Sequence, residues 1–322
     1  MKTSSTFNIL FAGHFAMDHK IIQGKEFHAQ GGTVTFGSVA AAVYNPELKI
    51  GIISTVGSDF KPEYREFVES YGVDTRGVLD SGEVSTHYTL SYHNGKRDLF
   101  LSGRAPDLVI EQVPEEYFDT KAIMMGPICG EISNDFISQF VDRAPNAVVG
   151  LDAQGFIRSF AKDGKVLECS LPKKCDNIYT LIDELDDRLL FKASDSEATA
   201  ISGKKDPLEA IDEIARNNAI IIVTLGPKGS LIKVPGDSEA IRIPAYRPQE
   251  VVDETGAGDA YMAGFLTGYL DSPRQREDVE RSGLVGAATA SFLIEQRNLR
   301  GLKSKDQIDA RIENGDILQY PD

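Results

Sequence analysis

The sequence is poor in the residues that usually build disulfide frameworks and metal sites. Its 322 residues include only three cysteines and five histidines. The cysteines, at 129, 169 and 175, form no C-x-x-C pair, which predicts reduced thiols in a cytoplasmic protein. The histidines all lie before residue 94 and show no H-x-x-x-H spacing. A structural metal site is therefore not expected.

Long apolar runs and an excess of basic residues are also missing. No apolar stretch approaches the ~20 residues that cross a bilayer, and the first residues lack the pattern of a secretory signal. Lysine and arginine number 34 against 49 aspartates and glutamates, for a net charge of −15. This acidity argues against a nucleic-acid or membrane partner, since both carry negative charge. It does not exclude a small phosphorylated ligand, because a local site can oppose the overall field.

Apolar stretches alternate with amphipathic ones along the chain, and this alternation predicts an α/β fold. The short apolar runs, bounded by turn residues, favour parallel strands that are buried on both faces. No linker or repeat divides the chain, so a single domain over 1–322 is expected. Strands are predicted at 7–13, 49–57, 121–128, 146–155, 188–194 and 219–226, and helices at 31–45, 61–72 and 207–217.

Two segments interrupt this alternation. Residues 85–103 alternate apolar and polar side chains around Asn94-Gly95, a strong hairpin signal. Residues 14–32 read as strands around a turn at Gly24. Together they predict a small sheet that projects from the α/β body as a lid.

The stretch VVDETGAGDAYMAGFL (251–266) places an aspartate directly behind a small-residue turn at the start of a predicted helix. Such a turn presents unpaired N–H groups and the positive end of the helix dipole, so Gly256, Ala257 and Gly258 can hold a phosphoryl group. Asp259 is poorly placed to bind that anion but well placed to take a proton from a hydroxyl that attacks it. The same spacing also fits an ordinary strand-to-helix turn in which Asp259 only supports the helix N-terminus. The competing phosphate motifs G-x-x-x-x-G-K-[ST] and G-x-G-x-x-G are absent from the sequence.

Residues 253–259, DETGAGD, resemble the D-x-T-G-A-G-D signature of the ribokinase-like (PfkB) carbohydrate kinases. The resemblance implies a three-layer α/β fold, with a mostly parallel central sheet flanked by helices and a small β-sheet lid. Supporting motifs follow in family order: GHFAMD (13–18), the pair Gly31-Gly32, STVGSDF (54–60) with YGVDT (71–75), KASDSEA (192–198) and VTLGPKGS (223–230).

The resemblance also implies an ATP-dependent kinase that uses Mg²⁺, leaves a monovalent-cation requirement open, and forms a homodimer through the lid. Asp259 would be the general base beside the anion turn at 256–258. Glu197 would organise Mg²⁺ through water, although it also fits an ordinary glutamate at a helix start. The remaining family positions divide into acceptor-binding residues, Asp18, Gly31 and Gly32, and nucleotide-binding residues, Lys192, Ser194, Thr224, Gly226 and Gly229.

Some positions depart from the usual family pattern. Phe36 stands where the family often has the asparagine of G-G-x-x-x-N, and Ser194 replaces the asparagine of N-x-x-E. Gln154 and Arg158 lie in LDAQGFIR (151–158), which, like Phe36, resembles the inositol-kinase-like branch. These three residues are therefore expected to contact a small polyol or sugar, with myo-inositol first. Phe36 stacked on a base would instead favour a nucleoside kinase, and the sequence is also compatible with a sugar-acid kinase or a non-catalytic ligand-binding protein.

Overall fold

The computed structural model describes residues 6–22, 25–93, 96–167, 172–270 and 276–319. Within these ranges the chain forms fifteen β-strands and ten α-helices. The strands are β1 (Phe7–Ala12), β2 (Ala16–Ile22), β3 (Lys25–Gly31), β4 (Ile50–Val56), β5 (Asp74–Asp80), β6 (Thr86–His93), β7 (Lys96–Gly103), β8 (Thr120–Met125), β9 (Val148–Asp152), β10 (Ser159–Phe160), β11 (Val166–Leu167), β12 (Leu189–Ser194), β13 (Ile220–Thr224), β14 (Ser230–Lys233) and β15 (Ile241–Ile243). The helices are α1 (Thr33–Tyr44), α2 (Pro62–Glu69), α3 (Asn134–Arg143), α4 (Gln154–Ile157), α5 (Pro172–Leu185), α6 (Asp195–Ser202), α7 (Pro207–Ile214), α8 (Ala257–Leu270), α9 (Arg276–Leu293) and α10 (Lys305–Asn314). None of these helices is long and apolar enough to cross a membrane.

The central sheet has nine strands in the order β15-β14-β13-β12-β9-β8-β1-β4-β5. Neighbours from β13 to β5 pair in parallel, whereas β14 and β15 add antiparallel pairs at one edge. Every residue of β4 is buried, as a parallel strand covered on both faces requires. The predicted mostly parallel sheet is confirmed.

Helices cover both faces of this sheet and create two apolar layers. Helices α1, α8, α9 and α10 pack on one face, and α3, α5, α6 and α7 on the other. Side chains of β1 alternate between the layers: Ile9 and Phe11 enter the first, Leu10 and Ala12 the second. This arrangement confirms the expected three-layer ribokinase-like fold.

A separate four-stranded sheet has the order β3-β2-β6-β7 and is the predicted lid sheet. Strands β2 and β6 run parallel, and the two outer pairs are antiparallel. The predicted turns at Gly24 and at Asn94-Gly95 lie outside the described residues. Pairing aligns Asp18 with Tyr88 and Lys20 with Leu90. Because strand side chains alternate, these four residues share one face of the lid sheet.

The lid sheet joins the α/β body through a buried polar network. The Glu131 carboxylate is fully buried and accepts hydrogen bonds from the N–H groups of His14 (2.9 Å), Ile128 (3.0 Å) and Cys129 (2.8 Å). The His14 ring contacts the Thr86 hydroxyl, 2.8 Å from Nδ1, at the start of β6. Burial lowers the pKa of His14, so the ring is neutral at physiological pH. These hydrogen bonds fix the positions at which β2 and β6 leave the α/β body, because a buried polar group is costly to leave unpaired.

Candidate active site

A cleft of about 1030 Å³ lies between the lid and the carboxyl ends of the central strands. Ligands of open α/β sheets bind at this edge, where strands end and helices begin. All sixteen site residues assigned from the sequence line the cleft: Asp18, Gly31, Gly32, Phe36, Gln154, Arg158, Lys192, Ser194, Glu197, Thr224, Gly226, Gly229, Gly256, Ala257, Gly258 and Asp259. Their convergence gives one site, while the role of each residue stays a prediction.

The glycine turn before α8 has the shape of an anion site. Gly256 has φ +81°, in the left-handed region that favours glycine. A Cβ at this position would lie 2.2 Å from Cδ1 of Phe36, so a side chain is excluded on steric grounds as well. Helix α8 begins at Ala257, and the start of a helix leaves backbone N–H groups and a positive dipole end for an anion.

Asp259 stands in the first turn of α8 at the floor of the cleft. Its Oδ1 accepts a hydrogen bond of 2.6 Å from the Thr33 hydroxyl. Protein surrounds the carboxylate on most sides, and this burial, followed by the negative charge of Asp152, raises the pKa of Asp259 to about 6. Thr33, Lys192 and Arg158 oppose the increase. A carboxylate with this pKa could act as a general base near neutral pH.

Lys192 and Asp152 form a buried ion pair beside the turn. Nζ of Lys192 lies 2.9 Å from Oδ2 of Asp152, and a Cβ at Gly258 would lie 3.0 Å from Nζ. Burial opposes the charge on Lys192, but Asp152 and Glu197 outweigh it and hold the Lys192 pKa above its ordinary value. The ammonium thus stays charged under the anion turn. This location would suit contact with a phosphate group.

The acceptor end of the cleft is built around the glycine pair between β3 and α1. A Cβ at Gly31 would lie 2.7 Å from Oδ2 of Asp18, so the glycine makes room for that carboxylate. Gly32 has φ +87°, and a Cβ there would lie 2.3 Å from the carbonyl oxygen of His14. Asp18 itself is 8% exposed and faces the cleft. The two glycines allow α1 to start directly beneath the lid strand that carries Asp18.

The positions that depart from the family pattern lie in the same cleft. Phe36 is 4% exposed, and its ring is packed against Gly256. The ring packs beneath the anion turn. Because of this contact, little of the ring is available to stack on a ligand. Gln154 begins α4 and Arg158 follows its last residue, with Nη1 donating to the carbonyl oxygen of Ile128 at 3.0 Å.

The opposite end of the cleft is an apolar slot. Thr224 ends β13, and the loop that follows contains Gly226 (φ +59°) and Gly229 (φ +86°). A Cβ at Gly229 would lie 2.0 Å from the carbonyl oxygen of Ile243, so this glycine allows close packing of the loop. A slot with largely apolar walls suits a nucleobase. Its apolar lining comprises Leu225, Pro227, Ala245, Ala287, Ala290, Ile294 and Leu318.

Ser194 and Glu197 form a capping box at the start of α6. The Glu197 carboxylate accepts the Ser194 N–H at 2.7 Å, and the Ser194 hydroxyl accepts the Glu197 N–H at 3.4 Å. Glu197 therefore has the ordinary role at a helix start that was also considered for it from the sequence. Both residues also line the cleft, so a role toward Mg²⁺ through water stays a prediction for Glu197.

Comparison of the sequence with known protein families identifies one that it matches. The family described as pfkB family carbohydrate kinase matches residues 38–305. The chain belongs to that family. As a PfkB kinase it is a phosphotransferase that acts on a hydroxyl group.

The PfkB relatives differ in the substrates that their names give. A cytidine kinase of Thermococcus kodakarensis is 27% identical over 281 residues, covering 86% of this chain and 93% of that relative. A nucleoside kinase of Methanothermobacter thermautotrophicus is 26% identical over 313 residues, covering 89% of each chain. A solved pyrophosphate-dependent kinase of the ribokinase family, in complex with a pyrophosphate analog and myo-inositol, superimposes with a TM-score of 0.72 at 23% identity, covering 91% of this chain and 98% of that chain.

Thr33 and Lys20 are among the groups of this PfkB site that were not assigned from the sequence. Thr33 bonds to Asp259, and its place directly after Gly31-Gly32 was the available signal. Lys20, on the lid strand β2, bonds to Asp253 of the signature motif. No local pattern marks that contact, since 233 residues separate its partners.

Proposed function

We propose that this PfkB kinase is an ATP-dependent nucleoside kinase that phosphorylates the primary hydroxyl of the ribose. The observation that carries the proposal is the setting of Asp18 on the inner face of the lid. Its neighbours on that face, by register, include Lys20 and the largely apolar set Ala16, Ala29, Tyr88, Leu90, Leu99 and Leu101. The Lys20 ammonium is bonded to Asp253 and Thr255, so Asp18 is the one carboxylate among otherwise mostly apolar neighbours on this face. Such a wall suits a ligand that has one polar side and one flat apolar face.

A nucleoside has this division. The carboxylate oxygens of Asp18 can accept from the two vicinal ribose hydroxyls, and the base can lie on the apolar lid wall. Each hydrogen bond to a charged group contributes about 1.5–3 kcal/mol. With the vicinal pair held at Asp18, the primary hydroxyl is the one left to reach Asp259. A fully hydroxylated ring would instead turn some hydroxyls toward Leu90 and Leu99, and each hydroxyl left without a partner there would cost about 1–3 kcal/mol.

The transfer itself relies on positioning and electrostatics. Asp259 takes the proton of the attacking hydroxyl, and the oxygen of that hydroxyl bonds to the γ-phosphorus. The bond between the γ-phosphorus and the β–γ bridging oxygen breaks, and ADP leaves with that oxygen. The N–H groups of the turn at 256–258 and the Lys192 ammonium stabilise negative charge on the transferring group. Thr33 holds the Asp259 carboxylate in place through its 2.6 Å hydrogen bond.

The apolar slot, which Leu318 helps to line, supports ATP as the donor, since pyrophosphate has no group that would fill it. Mg²⁺ fits the donor set here, because Glu197 brings a carboxylate to the cleft and magnesium prefers oxygen ligands and retains several waters. When bound, it would neutralise charge on the phosphates. Rates measured with and without K⁺ test a requirement for a monovalent cation.

A steady-state substrate panel tests the proposal. The purified protein is supplied with Mg²⁺, ATP and one acceptor at a time: cytidine, adenosine, ribose, fructose, 2-keto-3-deoxygluconate or myo-inositol, with ADP release as the readout. The expected result is that a nucleoside has the highest kcat/KM. Replacement of ATP by pyrophosphate should abolish transfer. A sugar or polyol with the highest kcat/KM would overturn the nucleoside assignment and leave the kinase assignment intact.

The second candidate acceptor is a polyol, with myo-inositol first. The observation that favours it is the pair of polar side chains, Gln154 and Arg158, at the edge of the acceptor end. The solved relative that contains myo-inositol has the same fold. The Phe36 ring packs under the turn, so it is withdrawn from a polyol and from a nucleobase alike and does not decide between them. We rank the polyol second because of the mostly apolar lid face beside Asp18.

Two further properties stay proposals. A homodimer through the lid sheet would cover strand edges that otherwise invite association, and light scattering after size-exclusion chromatography measures it. A cytoplasmic location rests on the cysteine usage; of the described cysteines, Cys129 and Cys175 are free thiols.

A further inference from the structure

Lys20 is a buried lysine on the lid sheet. Its residue is 7% exposed, although lysines are rarely buried without a partner. Strand β2 alternates its side chains, so Lys20 and Asp18 share the inner face, while His19 between them points to the opposite face. Lys20 therefore extends toward the α/β body beside the carboxylate of Asp18.

The ammonium of Lys20 binds the signature motif. Nζ donates to Oδ2 of Asp253 at 3.0 Å and to the hydroxyl oxygen of Thr255, also at 3.0 Å. Its side chain is 9% exposed and that of Asp253 is 22% exposed, so water screens this ion pair weakly. The contact bridges the lid and the loop that leads into α8.

Asp253 and Thr255 are themselves linked within the loop. Oδ1 of Asp253 accepts from the Thr255 N–H at 3.0 Å and from the Thr255 hydroxyl at 2.6 Å. Burial opposes the charge on Asp253, but the hydrogen bonds from Thr255 and Lys20 hold the Asp253 pKa below its ordinary value. The three side chains thus close a ring of hydrogen bonds immediately before Gly256.

We infer that Lys20 is a positioning residue for phosphoryl transfer, which fixes the anion turn from the lid through Asp253 and Thr255. This inference rests on the proposed function, in which the turn at 256–258 holds the transferring group. The Phe36 ring packs against Gly256 of the turn. The hydrogen bonds among Lys20, Asp253 and Thr255 hold the residues just before the turn. Movement of the lid away from the body would remove Lys20 and leave the Asp253 carboxylate without its counter-charge. The turn is then in place only when the lid lies over the acceptor.

Lys20→Met tests the role, because methionine keeps much of the length and apolar contact of the lysine stem and removes the charge. We expect kcat to fall by about 10- to 100-fold, the effect of misplacing a reacting group by about 1 Å, while the KM for the acceptor changes less than about twofold. His19→Met, one residue away on the opposite face, is the matched control and should retain wild-type kcat. Wild-type kcat in Lys20→Met would overturn the inference.

A double-mutant cycle with Asp253→Asn separates positioning from a general effect on stability. If Lys20 acts through Asp253, the kcat of the double variant Lys20→Met/Asp253→Asn should be no lower than the kcat of the less active single variant. Losses that multiply would contradict this route. Lys20→Arg keeps the charge and should recover part of kcat. Ethylammonium added to Lys20→Ala should also restore part of kcat, and no rescue in either case would count against a positioning ammonium.

Hydrogen exchange gives a readout that does not need activity. In Lys20→Met without ligands, amides of residues 255–262 should exchange faster than in the wild type, with unchanged exchange in β8 and β9 far from the lid contact. Unchanged exchange at 255–262 would overturn the inference. If the wild-type protein phosphorylated no acceptor, the proposed function would fail instead, and the exchange experiment would still report on the Lys20 contact.

Discussion

Replacement of Asp259 by asparagine should abolish phosphoryl transfer without loss of the fold. Asparagine has the same shape, and its Oδ1 can still accept the Thr33 hydroxyl bond of 2.6 Å. It cannot take the proton of the attacking hydroxyl. Loss of a general base typically lowers the rate by about 10²–10⁴-fold, or about 3–5 kcal/mol of barrier. We expect kcat to fall within this range and ATP affinity to remain near the wild-type value.

The pH dependence gives a second signature of the same carboxylate. Asp259 must be deprotonated to act as base, and its pKa is about 6. Wild-type kcat/KM for the nucleoside should therefore decline as the pH falls below about 6, after allowance for ATP ionisation. The residual rate of Asp259→Asn should lack this decline.

The raised pKa also predicts the effect on stability. In the folded protein Asp259 has a pKa of about 6 against an ordinary value of 3.8, so the folded state binds more protons between these values. Its contribution to stability is therefore greatest below pH 3.8 and is lost as the pH rises through 6. At neutral pH the charged form costs up to about 3 kcal/mol. Asp259→Asn removes this cost and should unfold at an equal or higher denaturant concentration than the wild type.

Asp306→Asn provides the matched control, since Asp306 is an exposed aspartate in the first turn of α10, away from the cleft. ADP release, ATP titration and urea unfolding should all be close to wild type for this control. If Asp259→Asn kept more than a tenth of the wild-type kcat, the base assignment would be refuted. An inactive variant that was also clearly less stable would refute the electrostatic reasoning.

The cleft supports three further predictions. Asp152→Asn should move the acidic limb of the pH profile below about 6, because the Asp152 charge raises the pKa of Asp259; an unchanged or higher limb would contradict this coupling. Leu318→Ala should raise the KM for ATP about 3- to 10-fold, through loss of about 1 kcal/mol of apolar contact, with kcat retained, and Leu208→Ala at an exposed site should leave both constants alone. Amide exchange in β2, β3, β6 and β7 should slow when a nucleoside and a non-hydrolysable ATP analogue are added together, and unchanged exchange would argue against a lid that closes.

The features that could be predicted from the sequence are those encoded locally. The strands of the central sheet are short apolar runs, and burial on both faces requires such runs whatever their neighbours are. The anion turn was also visible, because the left-handed backbone at Gly256 and the helix start at Ala257 depend on adjacent residues. The order of motifs along the chain then placed Asp18 and Lys192 in one site.

The features that could not be predicted depend on contacts between distant segments. The pKa of Asp259 results from burial and from Asp152, which are brought together only by the packing of α8 on the sheet. Phe36 could equally have faced a ligand until the structure placed its ring against Gly256. The Lys20–Asp253 ion pair forms only because β2 belongs to the lid and the lid lies over the turn.

Phosphorus NMR of the reaction product tests the central proposal most directly. The wild-type protein, Mg²⁺, ATP and cytidine are incubated, and the proton-coupled phosphorus spectrum of the new phosphomonoester is recorded, with Asp259→Asn as the blank. The proposal predicts a signal coupled to the two protons of a methylene group, which marks phosphate on the primary ribose hydroxyl. A phosphate coupled to a single ring proton, or a phosphorylated myo-inositol where cytidine gives no product, would contradict the assignment of a nucleoside held by Asp18.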